Sequence, residues 1–136
     1  MTITQGPINL DQWMKEAKTD PAASQVGMFL LHNGVVRETP RVLAREGLDD
    51  GSKVRGMTFS YDAEKVNQAI SETSAMEGIL YIKVWLNSGR LEVGEDIMYV
   101  LVGGDIRPHV IDGLQFLVEK IKTQCVVEIE HKQQRI

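Results

Sequence analysis

The chain has 136 residues, the length of one ordinary globular domain, and we expect residues 1–136 to form a single domain. Hydrophobic residues make up 43% and charged residues 25%, which excludes a disordered or collagen-like chain. The 15 Lys and Arg against 19 Asp and Glu give a net charge of −4, which excludes a general nucleic-acid-binding protein.

Cysteine and histidine content limits the possible metal chemistry. Cys125 is the single cysteine, so neither an intrachain disulfide nor a multi-cysteine zinc site is possible, and we expect it in the core. His32, His109 and His131 lack metal-binding spacing, so we expect no metal and no cofactor. The N-terminal segment lacks signal-peptide features and no run approaches the ~18 apolar residues of a membrane span, so we expect a cytoplasmic protein.

The first third of the chain predicts one helix, one strand and one loop. Asn9 or Asp11 is suited to cap a short helix over residues 10–18. The apolar run 26–36 predicts a strand interrupted at a turn-forming Asn-Gly pair. Residues 37–53 carry four charges of each sign, one proline and two glycines, which favours a mobile loop over a site.

The rest of the chain predicts the order strand–helix–strand–strand–helix–strand. Asp62 and Asp105 are suited to cap the two helices, and Gly78 to end the first of them. The predicted strands are residues 54–61, 78–86, 95–103 and 125–131, the middle two forming an antiparallel hairpin, and the last five residues are a polar tail. This order predicts an α+β fold, with a mixed, mostly antiparallel sheet and two main helices packed on it.

Two candidate anion sites lie at the ends of the last long helix. Arg107 follows a Gly-Gly turn at its N-terminus, where free amides and the helix dipole favour an anion. Lys120 and Lys122 lie in its last turn, where cations also suit the dipole without any other role. Taken alone, the pattern favours a solvated arginine at the first end and two solvated lysines at the second.

A third candidate site follows the first strand, where Arg37 and Arg41 are placed to clamp a phosphate or carboxylate. The same arginines are equally able to pair with acidic residues of a solvated loop. On the last strand, Glu128 and Glu130 alternate with apolar residues, and we expect both glutamates to face solvent.

Taken together, these landmarks resemble the catalytic (large) subunit of molybdopterin synthase over residues 26–130. The pattern G-x-V-R ends the first strand at Arg37, and G-x-L-x-x-G-[DE] occupies residues 89–95. A small-residue turn ends in Arg107, and the last long helix closes at Ile121-Lys122.

The resemblance implies an α/β-hammerhead fold, a homodimer, and a small ubiquitin-like sulfur-carrier partner with a C-terminal Gly-Gly tail. It implies sulfur transfer from the thiocarboxylate of that tail to cyclic pyranopterin monophosphate, a pterin phosphate substrate, giving molybdopterin. By position, the resemblance implies that Lys122 is the catalytic lysine. The residues implied in substrate or anion binding are Arg37, Arg107, Arg41 and Lys120.

The chain also departs from the family pattern at three places. Leu86 and Ile106 stand at histidine positions, and Ile129 stands at a second lysine position. The alternative function is therefore a non-catalytic homologue that binds a small carrier protein or a pterin-like anion. At ~1.5 Å rise per residue, Arg107 and Lys122 lie roughly 22 Å apart on one helix. Either the two residues form one site across the dimer, which we favour, or they have separate roles.

Overall fold

The structure is a computed structural model that describes residues 1–133, which form two small antiparallel sheets flanked by helices. The helices are α1 (Leu10–Thr19), α2 (Arg41–Glu46), α3 (Ala63–Ser74) and α4 (Arg107–Lys120), with a 3₁₀ turn at Ala23–Gln25 and a π-helical turn at Ile121–Cys125. The strands are β1 (Met28–Val35), β2 (Lys53–Tyr61), β3 (Ile79–Leu86), β4 (Gly89–Glu92), β5 (Asp96–Gly104) and β6 (Val126–Gln133).

The first sheet has the order β1-β5-β3, and the second has the order β4-β2-β6. All of their strand pairs are antiparallel. β3 and β5 pair as the predicted hairpin, while the segment between them contributes β4 to the second sheet. The two sheets are therefore connected through the segment between β3 and β5, which contains β4.

The core follows from the alternation of side chains along β5. Val100 and Val102 face α3 and α4 and join the main core, where Leu117 of α4 is fully buried. Leu101 points to the opposite face, where it packs with Trp13 of α1. Both faces of the first sheet are therefore covered, as its continuous apolar strands predict.

The predicted α+β order is confirmed, and the last strand runs further than its polar sequence indicates. β6 includes Lys132 and Gln133 because both pair with the start of β2. The other tail residues, 134–136, lie outside the described part of the chain.

The loop predicted over residues 37–53 contains the short helix α2. Pro40 occupies its N-cap position, and Gly47 ends it with a positive φ of 69°. A six-residue helix is too short to leave a hydrophobic period in the sequence, which explains why the charge pattern alone indicates a loop.

Two predicted helix boundaries are wrong by a few residues. Asp105 lies one position before Ile106, the N-cap of α4, and its carboxylate accepts a hydrogen bond from the Ile106 amide at 2.6 Å. Gly78 lies beyond Ala75, which caps α3, and belongs instead to the turn into β3. In both cases the capping residue type marks the turn next to the helix rather than the helix end.

Candidate active site

A small cavity of about 130 Å³ lies where β1, α2 and the π-helical turn face the second sheet. Charged and titratable side chains form most of its lining: Arg37, Arg41, Arg45, His32, Lys122, Glu128 and Glu130. Four cations against two carboxylates leave it net positive, in a chain whose overall charge is −4. The cavity is therefore suited to an anionic group.

Larger surface grooves do not share this concentration of charge. A groove of about 580 Å³ beside α2 balances Lys53 and Arg55 against Glu38 and Asp49. Another of about 670 Å³ along α4 carries two acidic residues on an apolar surface. Volume alone would favour these grooves, but the charge chemistry selects the smaller cavity.

Strand β1 and the residues that follow it bring His32 and Arg37 to the cavity. His32 faces the cavity, and the register of β1 on β5 shifts between Gly34 and Val35. Beyond the buried Val36, the chain emerges at Arg37, whose Nε donates to the Thr39 carbonyl at 3.0 Å. The G-x-V-R segment thus turns its arginine into the cavity.

Helix α2 adds two further arginines. Arg41 and Arg45 are one turn apart, at i and i+4, so both side chains lie on the same face of the helix. The Arg41 guanidinium forms an ion pair with Glu128, and its backbone N–H donates to the Glu130 carboxylate oxygens at 3.3 and 3.2 Å. The N-terminal end of α2 is thereby fastened to β6.

The expectation that Glu128 and Glu130 face solvent is wrong. β6 pairs with β2 so that Glu128 lies opposite Phe59 and Glu130 opposite Met57. Directly paired residues share one face of a sheet, and those two β2 residues are buried. Both glutamates consequently point into the cavity, while the neighbouring apolar residues Val127 and Ile129 point outward.

The π-helical turn after α4 separates the two candidate lysines. Lys122 lies inside this turn and lines the cavity. Lys120 faces the other way, with Nζ 3.6 Å from a Glu72 carboxylate oxygen and 5.7 Å from the centre of the Phe116 ring. The structure therefore brings Lys122 to the cavity and leaves Lys120 on a different surface.

The environment of Lys122 favours its neutral form. Burial lowers the pKa of its amine below the ordinary value of 10.5, and the charges of Arg45, Arg37 and Arg41 lower it further. A lysine with a lowered pKa has a larger neutral fraction at a given pH than an exposed one, and only the neutral amine acts as a nucleophile or proton acceptor.

Arg107 lies at the exposed start of α4, away from the cavity of its own chain. Nearby, Asp105 Oδ1 lies 2.7 Å from His109 Nδ1. Within one chain, the structure unites three of the predicted residues, Arg37, Arg41 and Lys122, and leaves Arg107 and Lys120 elsewhere.

Sequence reasoning missed two cavity residues, His32 and Arg45. His32 lies two residues before the G-x-V-R segment but is not part of that pattern, so the pattern alone does not assign it a role. Arg45 becomes visible only once α2 is known, since it follows Arg41 by one helical turn.

Neither a metal-binding cluster nor a membrane-spanning helix is found within residues 1–133. No group of three or more His, Cys, Asp or Glu side chains there is placed to hold a metal ion. No helix in that range is long and apolar enough to cross a membrane.

The family model of the MoaE protein matches residues 3–124. The chain belongs to the MoaE family. This membership confirms the resemblance to molybdopterin synthase large subunits and places the chain in molybdenum cofactor biosynthesis.

Solved structures support the fold of this MoaE family member. Molybdopterin synthase from Staphylococcus aureus is 17% identical, with a TM-score of 0.72 over 98% of this chain and 92% of that chain. Molybdopterin cofactor biosynthesis protein E from Burkholderia multivorans is 12% identical, with a TM-score of 0.70 over 98% and 89%. A complex of subunits 1 and 2 of the molybdopterin-converting factor from Helicobacter pylori matches at 16% identity and a TM-score of 0.64, over 95% and 82%. No curated protein matches the sequence.

The three departures from the family pattern lie outside the cavity of this MoaE chain. Leu86 is buried at the end of β3, and Ile106 is exposed at the N-cap of α4. Ile129 is 52% exposed on the outer face of β6. A lysine at position 129 would project away from the cavity of its own chain, so its loss leaves the cation cluster there intact.

Proposed function

We propose that this MoaE family member catalyses sulfur transfer from the C-terminal thiocarboxylate of a small carrier protein to cyclic pyranopterin monophosphate. In this proposal Lys122 is the catalytic lysine, and Arg37 and Arg41 bind anionic groups of the substrates. The observation that carries it is the half-buried Lys122 amine, which faces three arginines in one cavity. The chain acts as a single domain, and its cytoplasmic location is part of the same proposal.

The chemistry of acyl and sulfur transfer suits this arrangement. Attack at a thiocarboxylate carbonyl develops negative charge on oxygen or sulfur, which fixed guanidinium groups stabilise. The lowered pKa of Lys122 makes its neutral form more accessible than that of a fully solvated lysine, and the neutral amine is able to accept a proton during the reaction. The arginines therefore have two effects, because they hold the anion and lower the pKa of Lys122.

The size of the cavity limits what enters it. A volume of about 130 Å³ accepts a phosphate or the terminal thiocarboxylate of a peptide tail but not a whole pterin ring system. The bulk of the pterin and the body of the carrier protein are consequently placed at the cavity mouth. The Helicobacter pylori structure described above is a complex of two subunits, which supports a small carrier as the partner of this chain.

Arg107 is assigned to the same reaction across a homodimer. Its exposed position, about 22 Å along the helix from Lys122, leaves it unable to contact an anion in its own cavity. We propose that it reaches the cavity of the partner subunit.

The test mixes the folded protein with a thiocarboxylated carrier and the pyranopterin precursor, and measures the dithiolene product. We expect product from the wild type and at least a hundredfold lower rate from Lys122→Ala. The matched variant is Lys120→Ala, which removes a lysine two positions away on a different surface, and we expect it to retain activity.

Two outcomes would contradict the proposal. A folded wild-type protein that binds the carrier without forming product would favour the non-catalytic alternative. Loss of activity in Lys120→Ala but not in Lys122→Ala would move the catalytic amine away from the cavity.

A further inference from the structure

We propose that His32 is an additional anion-binding residue of this cavity, and that its imidazole takes up one proton from solvent when the anion binds. The inference deepens the proposed function, on which it rests for the kind of ligand, a phosphate or thiocarboxylate group. It adds a ligand-contacting residue and a proton linkage to the cation cluster already described.

The position of His32 supplies the first argument. Its strand, β1, is fixed by pairing with β5, where His32 lies opposite Val100. Nε2 of the ring is buried and has no hydrogen-bond partner within residues 1–133. Because a buried polar nitrogen without a partner is costly, a ligand atom that pairs with Nε2 gains more than the same contact at an exposed site.

Gly34 keeps the space beside this nitrogen open. A Cβ at position 34 would stand 3.9 Å from His32 Nε2 and 3.1 Å from Cγ of Met98. Any side chain there would therefore occupy the volume through which a ligand atom approaches the ring.

The charges around His32 explain the proton linkage. The groups that line the cavity with it are Arg37, Arg41 and Arg45 from the segment after β1, Lys122 from the π-helical turn, and Glu128 and Glu130 from β6. On its other side, the groove along α4 presents Asp112 and Glu119. Burial lowers the pKa of His32, and the charge of Lys122 lowers it further, so both favour the neutral ring in the free protein.

A bound dianion reverses this balance. Two negative charges offset the net positive charge of the lining and give Nε2 an acceptor, and both changes favour the protonated imidazole. The pKa of His32 is therefore higher in the complex than in the free protein. Binding takes up a proton at any pH between these two values, and affinity falls as the pH rises through that range.

Sulfate is the probe for the test because it carries two negative charges and does not titrate near neutral pH. Calorimetric titrations in buffers of different ionisation enthalpy measure proton uptake across about pH 5.5–8. We expect wild-type protein to take up close to one proton per sulfate at the pH of maximal linkage. Ring NMR signals of the three histidines then show which of them changes its pKa on binding.

Variants separate the hydrogen bond from the charge. His32→Phe is expected to weaken sulfate binding about tenfold or more and to abolish proton uptake. His32→Gln retains an uncharged donor, so we expect intermediate affinity without proton uptake. The matched control is His131→Gln, which removes a histidine whose Nε2 lies 2.6 Å from Thr58 Oγ1 outside the cavity lining, and it should retain both affinity and uptake.

Gly34→Ala tests the same contact without replacing His32, in case a His32 variant fails to fold. It leaves His32 in place and adds a methyl group 3.9 Å from Nε2, with a small adjustment of Met98, whose Cγ would lie 3.1 Å from the new group. We expect weaker sulfate binding with an unchanged His32 pKa in the free protein.

Several results would overturn the inference: no measurable sulfate binding by the wild type, binding without proton uptake, or uptake that persists in His32→Phe. The dithiolene assay tests the proposed function separately. Dithiolene formation without His32-linked proton uptake rejects only the inference, whereas His32-linked uptake without dithiolene formation rejects only the sulfur-transfer function.

Discussion

Glu128→Gln tests whether the inward-facing glutamates hold α2 over the site. The Glu128 carboxylate pairs with the Arg41 guanidinium, and the two side chains are 12% and 41% exposed. A glutamine at this position keeps an oxygen that accepts a hydrogen bond from Arg41, so the substitution removes little besides the negative charge. The measured effect is therefore mainly electrostatic.

The expected magnitude follows from this partial burial. Exposed ion pairs contribute about 0–1 kcal/mol, whereas breaking a fully buried pair costs about 3–5 kcal/mol. With one partner nearly buried and the other half exposed, we expect Glu128→Gln to lower the free energy of unfolding by about 1–2 kcal/mol. Loss of the carboxylate also leaves the remaining cavity cations in mutual repulsion, which acts in the same direction.

The assay is equilibrium unfolding in urea, with Glu38→Gln as the matched variant. Glu38 pairs with Lys53 at 3.3 Å, but these side chains are 52% and 61% exposed. We expect this variant to lie within about 0.5 kcal/mol of the wild type, and to become indistinguishable from it in 1 M salt. The cost of Glu128→Gln should largely survive in high salt.

Sulfate binding gives an independent measurement on the same variant. Glu128→Gln removes one of the two carboxylates from the cavity lining and so makes the net charge of the lining more positive by one unit. We expect sulfate to bind about three- to tenfold more tightly. Equal destabilisation by Glu128→Gln and Glu38→Gln, or weaker sulfate binding by Glu128→Gln, would refute the argument from burial and charge.

Three further predictions concern activity and pH. Activity of the wild type should rise with pH as the Lys122 amine loses its proton, at a pH below the ordinary lysine range. Arg45→Gln should move this rise to higher pH, because Arg45 lowers the pKa of Lys122. A pH–rate profile unchanged by Arg45→Gln contradicts this prediction. The Lys122→Ala and Arg107→Ala proteins, each inactive alone, should regain partial activity when they are mixed, since one site of the mixed dimer is then intact. No recovery despite heterodimer formation places the two residues in separate sites. The hydrogen bond to Asp105 and the nearby carboxylates raise the pKa of His109 above 6.5. The contribution of His109 to the free energy of unfolding is therefore fully present below its unfolded-state pKa and is lost as pH rises through its folded-state pKa. Urea unfolding of His109→Gln should lack this pH dependence, and the same pH dependence in the wild type and the variant would reject the prediction.

The sequence by itself determined the order of the main elements and one part of the chemistry. Periodic apolar residues and caps such as Asn9 and Asp62 predict the helices, because these are local signals within a few residues. The G-x-V-R segment and the lysine near the end of the last long helix predict Arg37 and Lys122, which the structure brings to one cavity.

The tertiary structure decided which neighbouring side chains face that cavity. Glu128 and Ile129 are adjacent in sequence, but the pairing of β6 with β2 sends the first inward and the second to solvent. A shift of one residue in that pairing would exchange the two faces, and nothing within β6 itself fixes the register.

The same limit applies to the two lysines at the end of α4. Charge and periodicity do not distinguish Lys120 from Lys122, and only the family resemblance singles out Lys122 in the sequence. In the structure the π-helical turn directs Lys122, and not Lys120, into the cavity. The turn lies where the end of α4 packs beside α3 and leads into β6. Such contacts join residues far apart in the chain. The tertiary structure, and not the local sequence, therefore decides on which surface each lysine side chain lies.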